Sequence, residues 1–302
     1  MVLQTFMLTL SSLKGKRKPA YVDTSILRKI SWEPTDIVVA AGPKQGTNWM
    51  LNIVHQLRML GDDAFEDILI ACIWMEVVAF PGESVEERIR RIEAHKQKYS
   101  FRIFKTHESP PILPFKDTVK YIIPVRNGKD SLISDYYFSR KRTDEFIKLW
   151  NLKKKKPESL SAYVKKYIKL RYYWDFINNW WPYRHHENTL MLHFNDLKKN
   201  SEKNIRKIAE FLNIQVPEDR WPYIFKYCSF EWMKENSIKF EAPDLLKGKK
   251  MIKDGGMIRK GLIGDHNNLF SKNDHKIWER AHKKYFRDEI QREWTDNGGK
   301  LP

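Results

Sequence analysis

The run Asp36-Ile37-Val38-Val39-Ala40-Ala41, closed by Gly42-Pro43, leaves this chain the least freedom of any segment. It is short, β-branched and apolar without alternation, the pattern of a strand buried on both faces, as in a parallel sheet. From Trp49 to Leu60 the apolar residues Met50, Ile53, Val54, Leu57 and Leu60 then recur at helical spacing. Strand, tight turn and helix in that order present the unpaired N–H groups of a helix N-terminus at the end of a strand, a ready place for an anion.

The rest of the chain repeats the alternation. Phe101–Lys105, Thr118–Val125 and Thr189–Phe194 read as strands, and Glu86–Gln97, Asp130–Phe138, Glu158–Trp181 and Ser201–Leu212 read as helices. Ile205, Ile208, Ala209 and Leu212 share one face of the last of these. The expected fold is α/β, a central parallel sheet flanked by helices, with a P-loop-like strand–loop–helix. The 302 residues, 41% hydrophobic and 13% aromatic, suffice for one large core. No repeat or linker divides them. Residues 1–30 read as an N-terminal extension and 31–302 as a single domain.

The excess of 55 basic over 38 acidic side chains, a formal charge of +17, suits anionic ligands or simply a solvated basic surface. The run Lys153-Lys154-Lys155-Lys156 before Pro157 reads as an exposed loop. Cys72 and Cys228 are too few for a disulfide framework, and the adjacent His185 and His186 lack metal-ligand spacing, so no metal is expected. No apolar run approaches the ~20 residues of a membrane span. The mildly apolar Met1–Leu13 precedes the basic Lys14–Lys18, the reverse of a secretory signal, and the expected location is cytoplasmic.

Three short motifs fall where strands end, and a fourth lies in a later basic, glycine-rich stretch. Pro43-Lys44-Gln45-Gly46-Thr47-Asn48-Trp49 joins the first strand to its helix, with Gly46 allowing close backbone approach and Lys44 adding a charge. Its lysine precedes the glycine, so this is not a Walker loop. Phe104-Lys105-Thr106-His107 ends the second strand and offers a general base beside a cation. Arg126-Asn127-Gly128-Lys129-Asp130, with Ser134 two turns on, presents a guanidinium fork suited to phosphate. Arg259-Lys260-Gly261-Leu262-Ile263-Gly264-Asp265 can wrap an anion. Singly, each motif is equally well an ordinary turn, a capped loop or a mobile basic loop.

Their succession resembles the cytosolic sulfotransferases, from about Asp36 to about Phe270, with further echoes in Cys72-Ile73-Trp74-Met75-Glu76, Trp180-Trp181, Asn195-Asp196-Leu197-Lys198 and Ser229-Phe230-Glu231-Trp232-Met233. The resemblance implies a transferase that moves the sulfuryl group of 3′-phosphoadenosine-5′-phosphosulfate (PAPS) to a small-molecule acceptor, releasing the bisphosphate PAP, without a metal. It implies that Lys44, Gln45, Gly46, Thr47 and Asn48 hold the 5′-phosphosulfate, with Trp49 and Phe230 on the two faces of adenine. Phe194 and Cys228 would border the same nucleotide, and Arg126, Ser134, Arg259, Lys260 and Gly261 would hold the 3′-phosphate. It makes His107 the general base and gives Lys44 and Lys105 the developing charge. Trp74, Glu108, Asp135 and Phe138 would face the acceptor.

Several positions depart from the family pattern. Gln45 replaces a small residue, Phe194 a tyrosine and Cys228 a threonine. Glu108 stands where leucine is common and Asp135 where an aromatic is common, which suits a polar or cationic acceptor better than a flat phenol or steroid. The family's dimer motif KxxxTVxxxE falls on Asn267, Ser271-Lys272 and Lys276 and is lost, so a monomer is expected. The alternatives are a sulfotransferase of hydrophobic phenols or alcohols, a basic polyanion- or nucleic-acid-binding protein, and a chain that binds PAPS without turnover. The helical placement of Tyr172-Tyr173-Trp174 and Trp180-Trp181 favours core over a base-stacking platform, and the intact His107, Lys44 and Lys105 favour turnover.

Overall fold

The computed structural model describes residues 19–153, 158–241, 250–253 and 255–302. Five strands, β1 (Ile37–Ala40), β2 (Ile73–Trp74), β3 (Ile103–Thr106), β4 (Lys120–Val125) and β5 (Thr189–His193), form one sheet in the order β2-β3-β1-β4-β5. Every pairing is parallel. In β1, Ile37 and Val39 join the apolar cluster on one face of the sheet, and Val38 and Ala40 join the cluster on the other. That two-sided burial is why the strand's sequence does not alternate.

Helix Thr47–Arg58 follows β1, with Met50, Ile53, Val54 and Leu57 fully buried. Helices Val85–Lys98, Gly128–Phe138 and Ser201–Leu212 lie close to their expected spans. The stretch expected as one helix from Glu158 to Trp181 is two, Leu160–Leu170 and Tyr172–Trp180. The break is at Arg171, which sits at φ 58 and cannot continue a right-handed helix. The short edge strand β2 and the C-terminal helices Lys272–Tyr285 and Glu289–Asn297 were not anticipated. Tyr173, Trp174 and Trp180 are buried, with Trp174 packed on Trp278 at 4.8 Å between ring centroids. These aromatics are core.

The N-terminal halves of β1 and β3 are tied together by a buried ion pair. Arg102 donates from Nε to Asp36 Oδ1 at 2.8 Å and from Nη2 to Asp36 Oδ2 at 2.6 Å. Asp36 also accepts the Glu33 N–H, and Arg102 also donates to the Ser31 carbonyl. With both side chains essentially without solvent contact, removing either partner strands a buried charge, at a cost of about 3–5 kcal/mol.

Residues 19–30 pack on the domain: Ile26 and Leu27 are fully buried, and Val22 bridges Val77. Residues 1–18 and Lys154–Lys156 of the lysine run lie outside the described residues, and Lys153 is exposed. Where the family's dimer motif would fall, Ser271 caps helix Lys272–Tyr285 in a capping box with Asp274. Among the described residues no helix is long and apolar enough to cross a membrane.

Candidate active site

In an open parallel sheet, ligands gather at the carboxyl ends of the strands, where successive connections diverge to opposite sides. Here β1 has β3 on one side and β4 on the other, and each strand end delivers one of the sequence motifs. Lys44 follows β1, Lys105 and His107 close β3, Arg126 follows β4, and Phe194 follows β5. A cavity of about 720 Å³ opens over these ends. Its wall carries every residue expected at the site except Gln45.

The loop after β1 is shaped for close approach. Gly46 has φ 95, and a Cβ there would also meet the Phe194 ring at 3.2 Å. Lys44 is held at φ 65, a left-handed conformation that costs a non-glycine residue free energy and that recurs at functional sites. Helix Thr47–Arg58 begins with no side-chain cap and no acidic residue in its first turn, so its N–H groups remain available to an anion. Gln45 turns the other way. It is fully buried, its amide packs over Gly42, and neither amide atom finds a hydrogen bond. Its side chain therefore shapes the turn from behind instead of lining the cavity.

A second group of cations lies opposite. Arg126 stacks over Phe194, donates to the Leu262 carbonyl at 2.7 Å, and leaves Nε buried without a partner. Arg259 and Lys260 both reach Asp265, and Arg259 Nε is likewise unpartnered. Asp130 fixes this loop by accepting from the main-chain N–H groups of Gly264 at 2.8 Å and His266 at 3.2 Å. Gly261, at φ 58, lies against Phe230, where a Cβ would meet the ring at 3.0 Å. Trp49 is oriented by its indole N–H, which donates to the Cys228 carbonyl at 2.8 Å. Two arginines with spare donors, two glycine-lined backbone approaches and three aromatic rings match a nucleotide carrying phosphates at two places.

The chemistry is concentrated at β1 and β3. Ala40 pairs with Thr106, and the His107 imidazole Nδ1 lies 2.7 Å from the Ala41 carbonyl oxygen. A carbonyl can only accept, so Nδ1 carries the proton and a neutral ring leaves Nε2 free to accept one. Burial pushes the His107 imidazole down to about 3, with Lys105 and Lys44 adding to the drop and the Ala41 carbonyl opposing it. Burial also pushes Lys105 down to about 7 and Lys44 to about 8, opposed by Glu76 in the first case and Asp135 in the second. Lys105 lies 3.6 Å over the Trp74 ring and Lys44 lies 3.9 Å over the Phe138 ring.

Sequence reasoning gave no role to several cavity residues. Glu76 is buried to 1% and pushed up to about 7 by that burial, reinforced by the neighbouring Glu108. Tyr21 and Arg142 meet at 3.0 Å on the same wall, and Lys198 donates to the Gly261 carbonyl. Glu76 and Lys198 close two of the weaker sequence echoes, but only folding brings these side chains to the cavity. Among the described residues no cluster of His, Cys, Asp or Glu side chains is arranged to hold a metal ion.

A half-buried histidine flanked by two lysines, with further cations and glycine-lined approaches on the same cavity wall, is an arrangement suited to group transfer. The profile of the sulfotransferase domain matches residues 34–291. Mouse sulfotransferase 1B1 is 31% identical over 260 residues, covering 83% of this chain and 82% of that protein. Rat sulfotransferase 2A1 is 29% identical, covering 85% and 86%. The chain belongs to the sulfotransferase family. Among solved structures, mouse sulfotransferase SULT7A1 complexed with PAP superposes with a TM-score of 0.68 at 23% identity, covering 89% of this chain and 91% of that one. Retinol dehydratase in complex with androsterone and PAP gives 0.68 at 19%, covering 94% and 88%, and shares the fold.

The depressed His107 pKa has a consequence for stability. The unfolded imidazole takes a proton near its ordinary 6.5, and the folded one resists it down to about 3. Below 6.5 protonation therefore favours the unfolded chain, so stability is full above that value and drains as pH falls towards 3. His107→Gln should lose less stability than wild type between about pH 7 and about pH 4.5, read from urea unfolding at the two values.

Proposed function

We propose that this protein transfers the sulfuryl group of PAPS to a hydroxyl or amine of a small acceptor, with His107 as general base. The observation that carries the reading is the set Lys44, Lys105 and His107 at adjoining strand ends, with Nε2 of a neutral imidazole left as the free acceptor. PAPS, when bound, supplies an electrophilic sulfur with a phosphate leaving group. Lys44, the Gly46 backbone and the first N–H groups of helix Thr47–Arg58 would hold its 5′ end. Trp49 and Phe230 would flank the base, and Arg126, Ser134, Arg259, Lys260 and Gly261 would hold the 3′-phosphate. The unpartnered Nε atoms of Arg126 and Arg259 fit that task, since a buried donor without an acceptor is costly until one arrives.

His107 Nε2 takes the proton of the attacking O–H or N–H, and its Nδ1–H···Ala41 bond keeps the ring from turning as it does so. Lys44 and Lys105 place positive charge where negative charge accumulates. An arriving anion restores the full ammonium charge that burial weakens. Positioning and electrostatics therefore supply most of the effect, as in phosphoryl transfer.

PAP at about 100 times its dissociation constant should stabilise the wild type by about 2.7 kcal/mol; ATP should do so far less, and Arg126→Ala should abolish the shift. His107→Ala should keep that stabilisation and lose about 10²–10⁴-fold in turnover. Absence of any PAP shift in the wild type overturns the reading.

The acceptor end supports a polar or cationic substrate. Asp135 and Glu108 both line the cavity, and Asp135 sits close enough to Lys44 to oppose its deprotonation. The apolar Phe138, Met257 and Ile258 on the same wall favour the second reading, a hydrophobic phenol or alcohol. With PAP bound, tyramine should stabilise the protein more than 2-naphthol, and Asp135→Asn should narrow the gap; the reverse order would select the hydrophobic reading. The active unit is read as a single chain, since Ser271 and Asp274 at the dimer motif's position are spent on capping a helix. Light scattering should then return the single-chain mass of 36.2 kDa, and a doubled mass would refute it.

A further inference from the structure

We propose that Glu76 is a positioning residue for the transfer, holding the main chain at His107 so that the imidazole presents Nε2 to the acceptor. The inference rests on His107 being the base. Edge strand β2 runs parallel to β3 with Trp74 opposite Lys105, and the Met75 N–H still donates to the Lys105 carbonyl at 3.1 Å. One step further the ladder stops. The Glu76 side chain takes over: its Oε1 accepts the His107 N–H at 2.7 Å and the Thr106 hydroxyl at 2.9 Å. Thr106 Oγ1 in turn accepts the Glu108 N–H at 3.0 Å. A carboxylate just past the end of β2 thus takes the place of a main-chain partner where β3 gives way to His107.

His107 is consequently held from two sides. Glu76 fixes its backbone from the β2 side, and the Ala41 carbonyl fixes its ring from the β1 side. The ring contact alone leaves the main chain able to swing, and the main-chain contact alone leaves the ring able to flip. A carboxylate is an expensive way to accept two neutral donors. Glu76 is buried to 1%, lines the cavity, and its Oε2 finds no hydrogen bond among the described residues. A buried, half-satisfied polar group of this kind calls for a functional explanation. The Glu76 charge opposes the deprotonation of the neighbouring Lys105, which lies over the Trp74 ring.

The test reads the histidine directly, in the full-length protein with PAP bound, by ¹⁵N NMR of the imidazole nitrogens at about pH 7.5, with His107→Gln to assign the signal. Wild type should show His107 as a single Nδ1–H tautomer. Glu76→Gln keeps an oxygen that can accept both donors and should preserve that signature. Glu76→Ala should lose it, with the Nε2–H form becoming a major species, while the thermal shift with PAP persists. Thr106→Val removes one donor, leaves the carboxylate in place, and should loosen the ring to a smaller extent, which keeps the test available if Glu76→Ala does not fold. An unchanged single tautomer in a folded Glu76→Ala, or in Thr106→Val should the former not fold, overturns the proposal. Retention of turnover by His107→Gln would instead sink the general-base reading.

Discussion

The ladder between β1 and β3 is the contact on which the site depends. It sets Ala40 beside Thr106 and lets the Ala41 N–H donate to the Thr106 carbonyl at 3.1 Å. Two loops far apart in sequence then leave the sheet side by side, one carrying Lys44 and the other Lys105 and His107. The Asp36–Arg102 pair locks the opposite end of the same two strands, so their register cannot slip without stranding a buried charge. Since side chains alternate along a strand, a slip of one residue would also exchange the two buried faces of β1. The placement of Lys44, Lys105 and His107 is inherited from that main-chain ladder.

Around that ladder the protein keeps strain and incomplete hydrogen bonding where an anion would relieve them. Lys44 is left-handed, the helix after it has an open N-terminus, and Arg126 and Arg259 keep unpartnered Nε atoms. Lys44 and Lys105 are buried enough for their ammonium forms to be weakened. Each feature costs stability in the free protein, and a ligand with two separated phosphate groups would answer all of them together. Supporting residues stand behind each part: Asp130 behind the Arg259 loop, Cys228 behind Trp49, Glu76 behind His107. Asp130 and Glu76 do so with side-chain carboxylates that accept main-chain N–H groups, which is why substitution there can disturb the site indirectly.

Local sequence was legible wherever a motif coincided with an element boundary. Val38 and Val39 announced a strand buried on both faces, Gly46 a close approach, and Met50, Ile53, Val54 and Leu57 a helix face, and the folded chain places them so. The break at Arg171 was not legible, because an arginine carries no signal for a positive φ. The side-chain direction of Gln45 was not legible for a related reason. Its neighbours in the motif face the ligand side, yet its own amide is directed back over Gly42, and nothing in a loop's sequence encodes that direction.

By itself the sequence determined the alternation of strand and helix, the parallel sheet that follows from it, and the order of four anion-seeking motifs, three of them at strand ends. These are short-range consequences of side-chain periodicity and turn chemistry, and they survive in any register. The tertiary structure alone decided which strand ends touch, and with them the pairing of Nδ1 with Ala41, the burial that leaves His107 neutral, and the place of Glu76 beneath it. The physical reason is that pKa shifts and hydrogen-bond partners depend on distance and dielectric across elements, and these are set only once the sheet has closed its ladders.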